Sequence, residues 1–303
     1  METSADVKKV IGLLKGKKKL IAMLAPSFVV DFKYPDTIIL LKQMGFDKVS
    51  ELTFGARIIN KYYHEIIKKN PDTMFISTAC PVVAMMVKSQ YPQYAGNLMP
   101  VVSPMAATAR ILDKNYPNHD IVFIAPCPAK KEEAKIYGKL IDAVITYKEL
   151  KQLIEYAQEN KMIKPKKVKS HLFDRFYADY TKIYPISGGL SKTLHKRDIL
   201  KENEVIVLEG PAEMQKLFSS KIPKHIRFLD VLFCKGGCIG GPGVNSQEPI
   251  EARRAKVLSY LELAKHEKMG KRRGMIKDTE GVEFNTPKKY IGNKCFTECE
   301  RDF

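Results

Sequence analysis

Short apolar runs alternate with helix-patterned stretches along most of this chain. Runs of strand length fall at Leu20–Leu24, Lys48–Leu52, Met74–Ser77, Asp120–Ile124, Ile141–Thr146, Val205–Leu208 and Arg227–Phe233. Apolar residues at helical spacing mark Thr37–Met44, Ala56–Lys68, Pro81–Lys88, Pro104–Asn115, Ala129–Tyr137, Tyr147–Gln158 and Pro211–Ser219. Gly45 closes the first of these helices, and Ser103 stands as an N-cap before Pro104. Strands joined through helices have the crossovers that parallel pairing needs. The expected fold class is therefore α/β, in two lobes with mainly parallel sheets flanked by helices.

A chain of 303 residues with 45% hydrophobic and 28% charged residues has globular proportions and room for one large domain or two lobes. Expected boundaries are a short N-terminal segment 1–17, a first lobe 18–160, a second lobe 161–245 and a helical, basic C-terminal extension 246–303. The stretch Asn160–Phe173 is Lys-rich and weakly patterned, as a connection between lobes would be, and Ile250–Lys265 reads as a helix. No apolar run approaches the roughly 18 residues of a membrane span. Met1–Gly16 has no apolar h-region, which argues against a secretory signal and for the cytoplasm.

Lys and Arg number 51 against 34 Asp and Glu, a formal charge of +17. Dense basic stretches run over Lys161–Lys169 and from Arg253 through Lys277. A solvated surface with a basic tail accounts for most of this excess. Its functional counterpart is attraction to an acidic partner such as a small acidic electron carrier. Nucleic acid fits poorly, since no stacking aromatics interleave with the lysines.

Six cysteines in a reducing compartment read as metal ligands or reactive thiols. Four fall in three turns, each after an expected strand: Ser77-Thr-Ala-Cys80-Pro81, Ala125-Pro-Cys127-Pro-Ala-Lys130-Lys-Glu-Glu133 and Phe233-Cys234-Lys-Gly-Gly-Cys238-Ile-Gly-Gly-Pro-Gly243. Ligands of open α/β sheets gather beyond the carboxyl ends of strands, where helix N-termini favour anions. Four thiolates are the usual ligand set of a [4Fe–4S] cluster. Cys234 and Cys238 are four residues apart, so a helical turn would bring them to one face, with Gly236 and Gly237 leaving room for the cluster. A lone cysteine is more often a small buried hydrophobe; three such sites together weigh against that. Structural zinc favours close pairs such as C-x2-C, and Cys80 and Cys127 are isolated singles, so iron–sulfur is preferred. Cys295 and Cys299 cannot complete a four-ligand set, and read as free tail thiols or as ligands shared with another chain. None of the six histidines lies in a cysteine motif, and no nucleotide-binding or hydrolase motif is present.

The three motifs together resemble those of the cluster-binding (H-cluster) domain of the iron-only, or [FeFe], hydrogenases: T-S-C-C-P, P-C-x-x-K-K-x-E and A-C-x-G-G-C-x-x-G-G, in the same order and at similar separations. Leu24-Ala-Pro-Ser27, Gly45-Phe-Asp-Lys-Val49, Phe54-Gly-Ala56 and Ser187-Gly-Gly189 are also similar to family segments. The resemblance covers about residues 18 to 245. It implies a [4Fe–4S] cluster on Cys80, Cys127, Cys234 and Cys238. It further implies a diiron subcluster carrying CO, cyanide and an aza-dithiolate, bridged through Cys238, in the cleft between the lobes. Lys130 matches the lysine that hydrogen-bonds a cyanide, a charge-assisted contact. Pro26, Ser27, Ser187, Gly188 and Gly189 match pocket positions, and Glu133 a glutamate of the proton path. The implied reaction is reversible H2 oxidation and proton reduction. The implied partners are H2, protons, a separate carrier such as an acidic ferredoxin or iron–sulfur protein, and hydrogenase maturation proteins.

The departures matter as much. The proton-carrying cysteine of the family falls at Ala79, which has no titratable group. Other path positions fall near Met99 and Ile66, with Glu65 one residue away, and methionines beside the diiron site become Ala125 and Leu232. Proton relay needs groups within hydrogen-bond reach. Their loss implies slow turnover or H2 sensing, as in the sensory branches of the family. The rival of a different class is an electron-transfer or scaffold protein keeping only the [4Fe–4S] cluster.

Overall fold

The computed structural model describes residues 3–165, 171–178, 180–194, 199–268 and 270–287. Cys295 and Cys299 lie outside these, as do several lysines of the basic stretch after Lys161. In chain order the elements begin with α1 (Ala5–Lys15), β1 (Lys19–Leu24), α2 (Asp36–Met44), β2 (Lys48–Glu51), α3 (Thr53–Lys69) and β3 (Phe75–Ile76). Next come α4 (Pro81–Gln90), α5 (Pro104–Asn115), β4 (His119–Ala125), α6 (Ala129–Ile136), β5 (Ala143–Thr146) and α7 (Tyr147–Glu159). The remainder is α8 (Gly189–Thr193), β6 (Val205–Glu209), α9 (Pro211–Ser219), β7 (Phe228–Leu232) and α10 (Ile250–Lys265).

Both sheets are wholly parallel, in the orders β2-β1-β4-β5 and β3-β7-β6. β1 and β4 form the centre of the larger sheet, with Ile21 opposite Ile121 and Leu24 opposite Ile124. Helices cover both of its faces, so nearly every residue of these strands is buried and the strands read as apolar runs rather than alternations. The α/β expectation therefore holds. The sheets do not follow the expected 160/161 boundary, however: β3, from residues 75–76, crosses into the smaller sheet and pairs with β7.

Local signals fix most element ends. Gly45 ends α2 in the left-handed region at φ 118°, which an L side chain adopts at a cost. The Ser103 hydroxyl caps α5, and Thr146 with Glu149 forms a capping box on α7. Three elements depart from expectation. β3 is only Phe75–Ile76, and α3 starts at Thr53, which buries Phe54. The N-terminal segment is mostly a helix: α1 buries Val7, Val10 and Ile11, one stripe at i, i+3 and i+4. An isolated 11-residue helix is marginal. Docking stabilises it, at about 1.5–3 kcal/mol per fully buried aliphatic side chain.

The C-terminal extension is likewise built into the core. α10 buries Val257, Tyr260 and Ala264, and Tyr260 packs edge-on against Phe28 at 5.6 Å. Its hydroxyl donates to Glu51 Oε1 (2.7 Å), while Lys182 Nζ lies 2.7 Å from Glu51 Oε2. Lys182 is 0% exposed. The rings of Tyr260 and Tyr177 stand 3.7 and 4.4 Å from its ammonium. Such a buried pair is tolerated only because each charge is met by further hydrogen bonds and π-faces.

Candidate metal centre

The sequence places each of the four cysteines after a parallel strand, and the fold turns those strand ends toward one another. Beyond β3, Thr78 is clamped: its N–H and the Tyr63 hydroxyl are 2.9 Å apart, and its Oγ1 donates to Val101 O (2.9 Å). Cys80 follows as the N-cap of α4, with Pro81 at the first helical position. Beyond β4, Cys127 precedes α6, and its carbonyl accepts from Lys130 N (3.3 Å). Beyond β7, Cys234 O accepts from Gly237 N (2.9 Å), and Cys238 N donates to Pro185 O (2.8 Å).

The Cys234–Cys238 turn is not the helical turn expected from its spacing. Gly236 and Gly237 both adopt left-handed φ, 82° and 76°, and a 3-10 turn follows over Gly237–Gly240. At both positions the neighbours that a side chain would meet are protein atoms. A Cβ at Gly236 would meet Ile250 at 2.7 Å, and one at Gly237 would meet Pro185 O at 2.6 Å. Gly241 and Gly243 draw the third loop onto the second: Gly243 N donates to Pro126 O (2.9 Å), and a Cβ at Gly241 would stand 2.5 Å from that same oxygen.

The thiols feel one another. Burial first, then the charge of Cys80, pushes the Cys127 thiol up to about 12. Burial, then Cys80 and Cys127, pushes Cys238 up to about 12. Cys234 is raised by burial and then by Cys80, Cys127 and Cys238. Thiols from three loops thus share one field, and Lys130 is the cation that eases Cys127 and Cys238. Such thiols do not ionise unaided near neutral pH, so a cationic core is what would hold them as thiolates. Among the described residues, no three His, Cys, Asp or Glu side chains are grouped to hold a single metal ion. The donor set fits a multi-iron cluster, which takes one thiolate per iron, better than one zinc ion.

Cys127 and Cys238 open on a cavity with apolar walls, which include Ala25, Leu52, Ala56, Ala79, Met105 and Phe123. Pro26, Ser27 and Lys130 line it as well, so three expected pocket positions converge there. Lys130 Nζ donates to Glu133 Oε2 (2.6 Å) and to Ala79 O (3.3 Å). Burial works against its charge, yet the Glu133 carboxylate outweighs it, and the pKa of Lys130 is raised. Glu133 is 2% exposed, and its second oxygen has no partner among the described residues. Ser27 Oγ lies 2.6 Å from Tyr147 Oη, which in turn reaches Ala25 O at 3.1 Å.

Ser187, Gly188 and Gly189 do not line this cavity. Gly188 turns the chain at φ 76°, and a Cβ at Gly189 would stand 2.0 Å from Ile183 O. They stand behind the third loop, since a Cβ at Gly237 would be 3.0 Å from Ser187 N. The same segment instead contributes Tyr184 and Pro185 to the wall. Sequence reasoning passed over both, and over Tyr147, whose position on α7 reads as a core aromatic. Only the proximity of Pro185 to the Ser187-Gly-Gly189 turn could have signalled it. Leu232 lines the cavity, while Ala125 and Met99 are buried away from it.

Residues 18–242 match the family described as iron only hydrogenase large subunit, C-terminal domain. Iron hydrogenase 1 of Clostridium pasteurianum is 27% identical over 271 residues, covering 72% of this chain and 46% of that protein. The cytosolic Fe-S cluster assembly factor NAR1 of Candida dubliniensis is 26% identical over 194 residues, covering 54% and 33%. This chain thus spans less than half the length of either curated relative. An [FeFe]-hydrogenase structure from work on oxygen damage to its 2Fe subcluster superposes with a TM-score of 0.62 at 17% identity, over 89% of this chain and 91% of that one. A variant of the [FeFe]-hydrogenase HydA1 from Chlamydomonas reinhardtii gives 0.61 at 16%, over 92% of each. At these identities the structural likeness bears on the fold. Because the family match takes in most of the chain and both sheets, this protein belongs to the family formed by the C-terminal domain of the large chain of iron-only hydrogenases.

Proposed function

We propose that this chain is an H-cluster-type iron–sulfur protein. Cys80, Cys127, Cys234 and Cys238 are the ligands of a [4Fe–4S] cluster, and Cys238 also bridges to a diiron subcluster with CO, cyanide and aza-dithiolate in the apolar cavity. The observation that carries this reading is the shared field of thiols from three strand ends beside a cavity holding one ammonium, Lys130. When bound, this cofactor supplies reversible interconversion of H2 with protons and electrons. The Lys130 ammonium offers a charge-assisted donor to an anionic ligand, and Glu133 fixes its position. Ser27, backed by Tyr147, offers a second hydroxyl. The walls of the cavity are largely apolar. Ala79 leaves no proton carrier at its place on the wall, so turnover is slow or serves H2 sensing. The basic chain suits an acidic ferredoxin or other iron–sulfur protein as electron carrier, and hydrogenase maturation proteins install the diiron unit. The ends of strands from both sheets meet at the cavity.

Infrared spectroscopy after co-production with the maturation machinery tests the proposal: CO and cyanide stretching bands are expected. A second reading keeps only the [4Fe–4S] cluster, for electron transfer or as a scaffold. Ala79 favours it, as does similarity to a cluster assembly factor. It predicts a brown protein with an EPR-active reduced cluster, no such bands and no H2-dependent change. Zinc without iron or sulfide would exclude both.

A further inference from the structure

A separate cleft of about 580 Å³ lies along α3, lined by Arg57, Lys61 and His64. These residues follow one another at i, i+4 and i+7, a single helical face. Tyr180, Leu194, Arg273 and Ile276 close the far side. We propose that this cleft binds a phosphate-bearing small molecule with two neighbouring phosphate charges.

The charge balance points to an anion. Among the described residues Glu65 is the one carboxylate lining the cleft, and it lies 3.9 Å from Lys61 Nζ, which leaves Arg57 and Arg273 without an acidic neighbour there. Arg57 is half-buried and has no hydrogen-bond or ion-pair partner among the described residues. Elsewhere several guanidiniums have structural work: Arg110, Arg227 and Arg253 donate to backbone carbonyls, and Arg175 pairs with Asp278, while the buried Nε of Arg254 also has no partner among the described residues. A half-buried guanidinium without a partner is costly, and a phosphate supplies the planar, two-oxygen match that guanidinium prefers.

The cleft is also built rather than incidental. Arg57 and Arg273 come from opposite ends of the chain. The strap carrying Arg273 is held through a parallel bridge to Tyr177, and Asp278 anchors it by accepting from Met275 N (2.9 Å) while pairing with Arg175. Gly274 seats the strap on Phe54, where a Cβ would stand 2.4 Å from the ring. Fixed backbone on both walls lowers the ordering cost of binding. The volume lies within the usual range for small-molecule sites, about 300–1,000 Å³. Ile58, Leu194 and Ile276 give an apolar surface for the remainder of such a ligand.

Titration calorimetry of the full chain with inorganic pyrophosphate, and separately with ADP, tests this without any cofactor. One saturable site per chain is expected at about 150 mM ionic strength. In Arg57→Gln/Arg273→Gln the affinity should fall about tenfold or more. In Lys8→Gln/Lys216→Gln, which removes the same charge from exposed positions outside the cleft, it should stay within about twofold. If the arginine double variant melts early, the exposed single variant Arg273→Gln carries the test, with about a fivefold loss. Tighter binding of ADP than of pyrophosphate would assign the apolar wall to the organic part. Absence of saturable binding by the wild-type chain, or equal losses in both double variants, would overturn the proposal.

Discussion

Lys130 and Glu133 sit three residues apart on α6, with Nζ and Oε2 2.6 Å apart, and Glu133 has almost no contact with solvent. The ammonium that faces the cavity is therefore held from behind by a carboxylate. Glu133→Ala leaves that ammonium buried and unpaired, and should destabilise the apo-protein by about 3–5 kcal/mol. Glu133→Gln keeps an acceptor and should cost less, about 1–3 kcal/mol. Denaturant unfolding of the two variants decides. Equal, negligible losses would mean that Lys130 finds water instead.

Ala79 lines the cavity and its carbonyl accepts from Lys130. Ala79→Cys should raise H2 turnover in matured protein by restoring one proton relay. Unchanged activity would show that the other absent relay groups dominate. Cys238→Ala should abolish the CO and cyanide bands, and a variant that keeps them would refute Cys238 as the bridge.

Gly241 approaches Pro126 so closely that any side chain must separate the second and third cysteine loops. Gly241→Ala should lower iron and sulfide content after reconstitution several-fold while leaving helix content intact. Full cluster loading in this variant would show that the loops tolerate separation.

Glu51 and Lys182 form a fully buried pair. Lys182→Met alone should cost about 3–5 kcal/mol, because the Glu51 carboxyl, whose pKa burial already raises, loses its countercharge in the core. The double change Lys182→Met/Glu51→Leu should recover most of that loss. Thermal melts in a double-mutant cycle measure the coupling, and strictly additive losses would contradict it.

Glu149 caps α7 and also meets Lys131, which in turn meets Asp6 on α1. Burial raises the Glu149 pKa, but the Lys131 hydrogen bond and the Thr146 N–H outweigh it, so the group titrates below its ordinary 4.5. A depressed carboxyl contributes stability that is complete above 4.5 and disappears as pH falls through the folded value. The wild-type chain should therefore lose its melting advantage over Glu149→Gln as pH drops below about 4.5. A gap between the two that does not narrow on acidification would contradict the linkage.

The strand-end cysteines were legible because Pro and Gly punctuate the chain locally, and local chemistry is what a single sequence displays. Pro26, Ser27 and Lys130 converged with them for the same reason. Tyr184 and Pro185 were not legible, because nothing in their own neighbourhood marks a cavity wall. Glu51 and Lys182 read as surface charges until the fold joins residues 131 apart. α1 carries its apolar stripe at Val7, Val10 and Ile11 in plain view, but so short a stripe does not say what surface covers it.

The Tyr260 hydroxyl on Glu51 gives the order of synthesis a consequence. The large sheet is complete once residue 146 has left the ribosome, yet the carboxylate at the end of β2 waits more than a hundred residues for its last donor. The family match stops at residue 242, before α10. A fragment trimmed to that limit would keep every cysteine of the candidate centre and leave an open acceptor in its core.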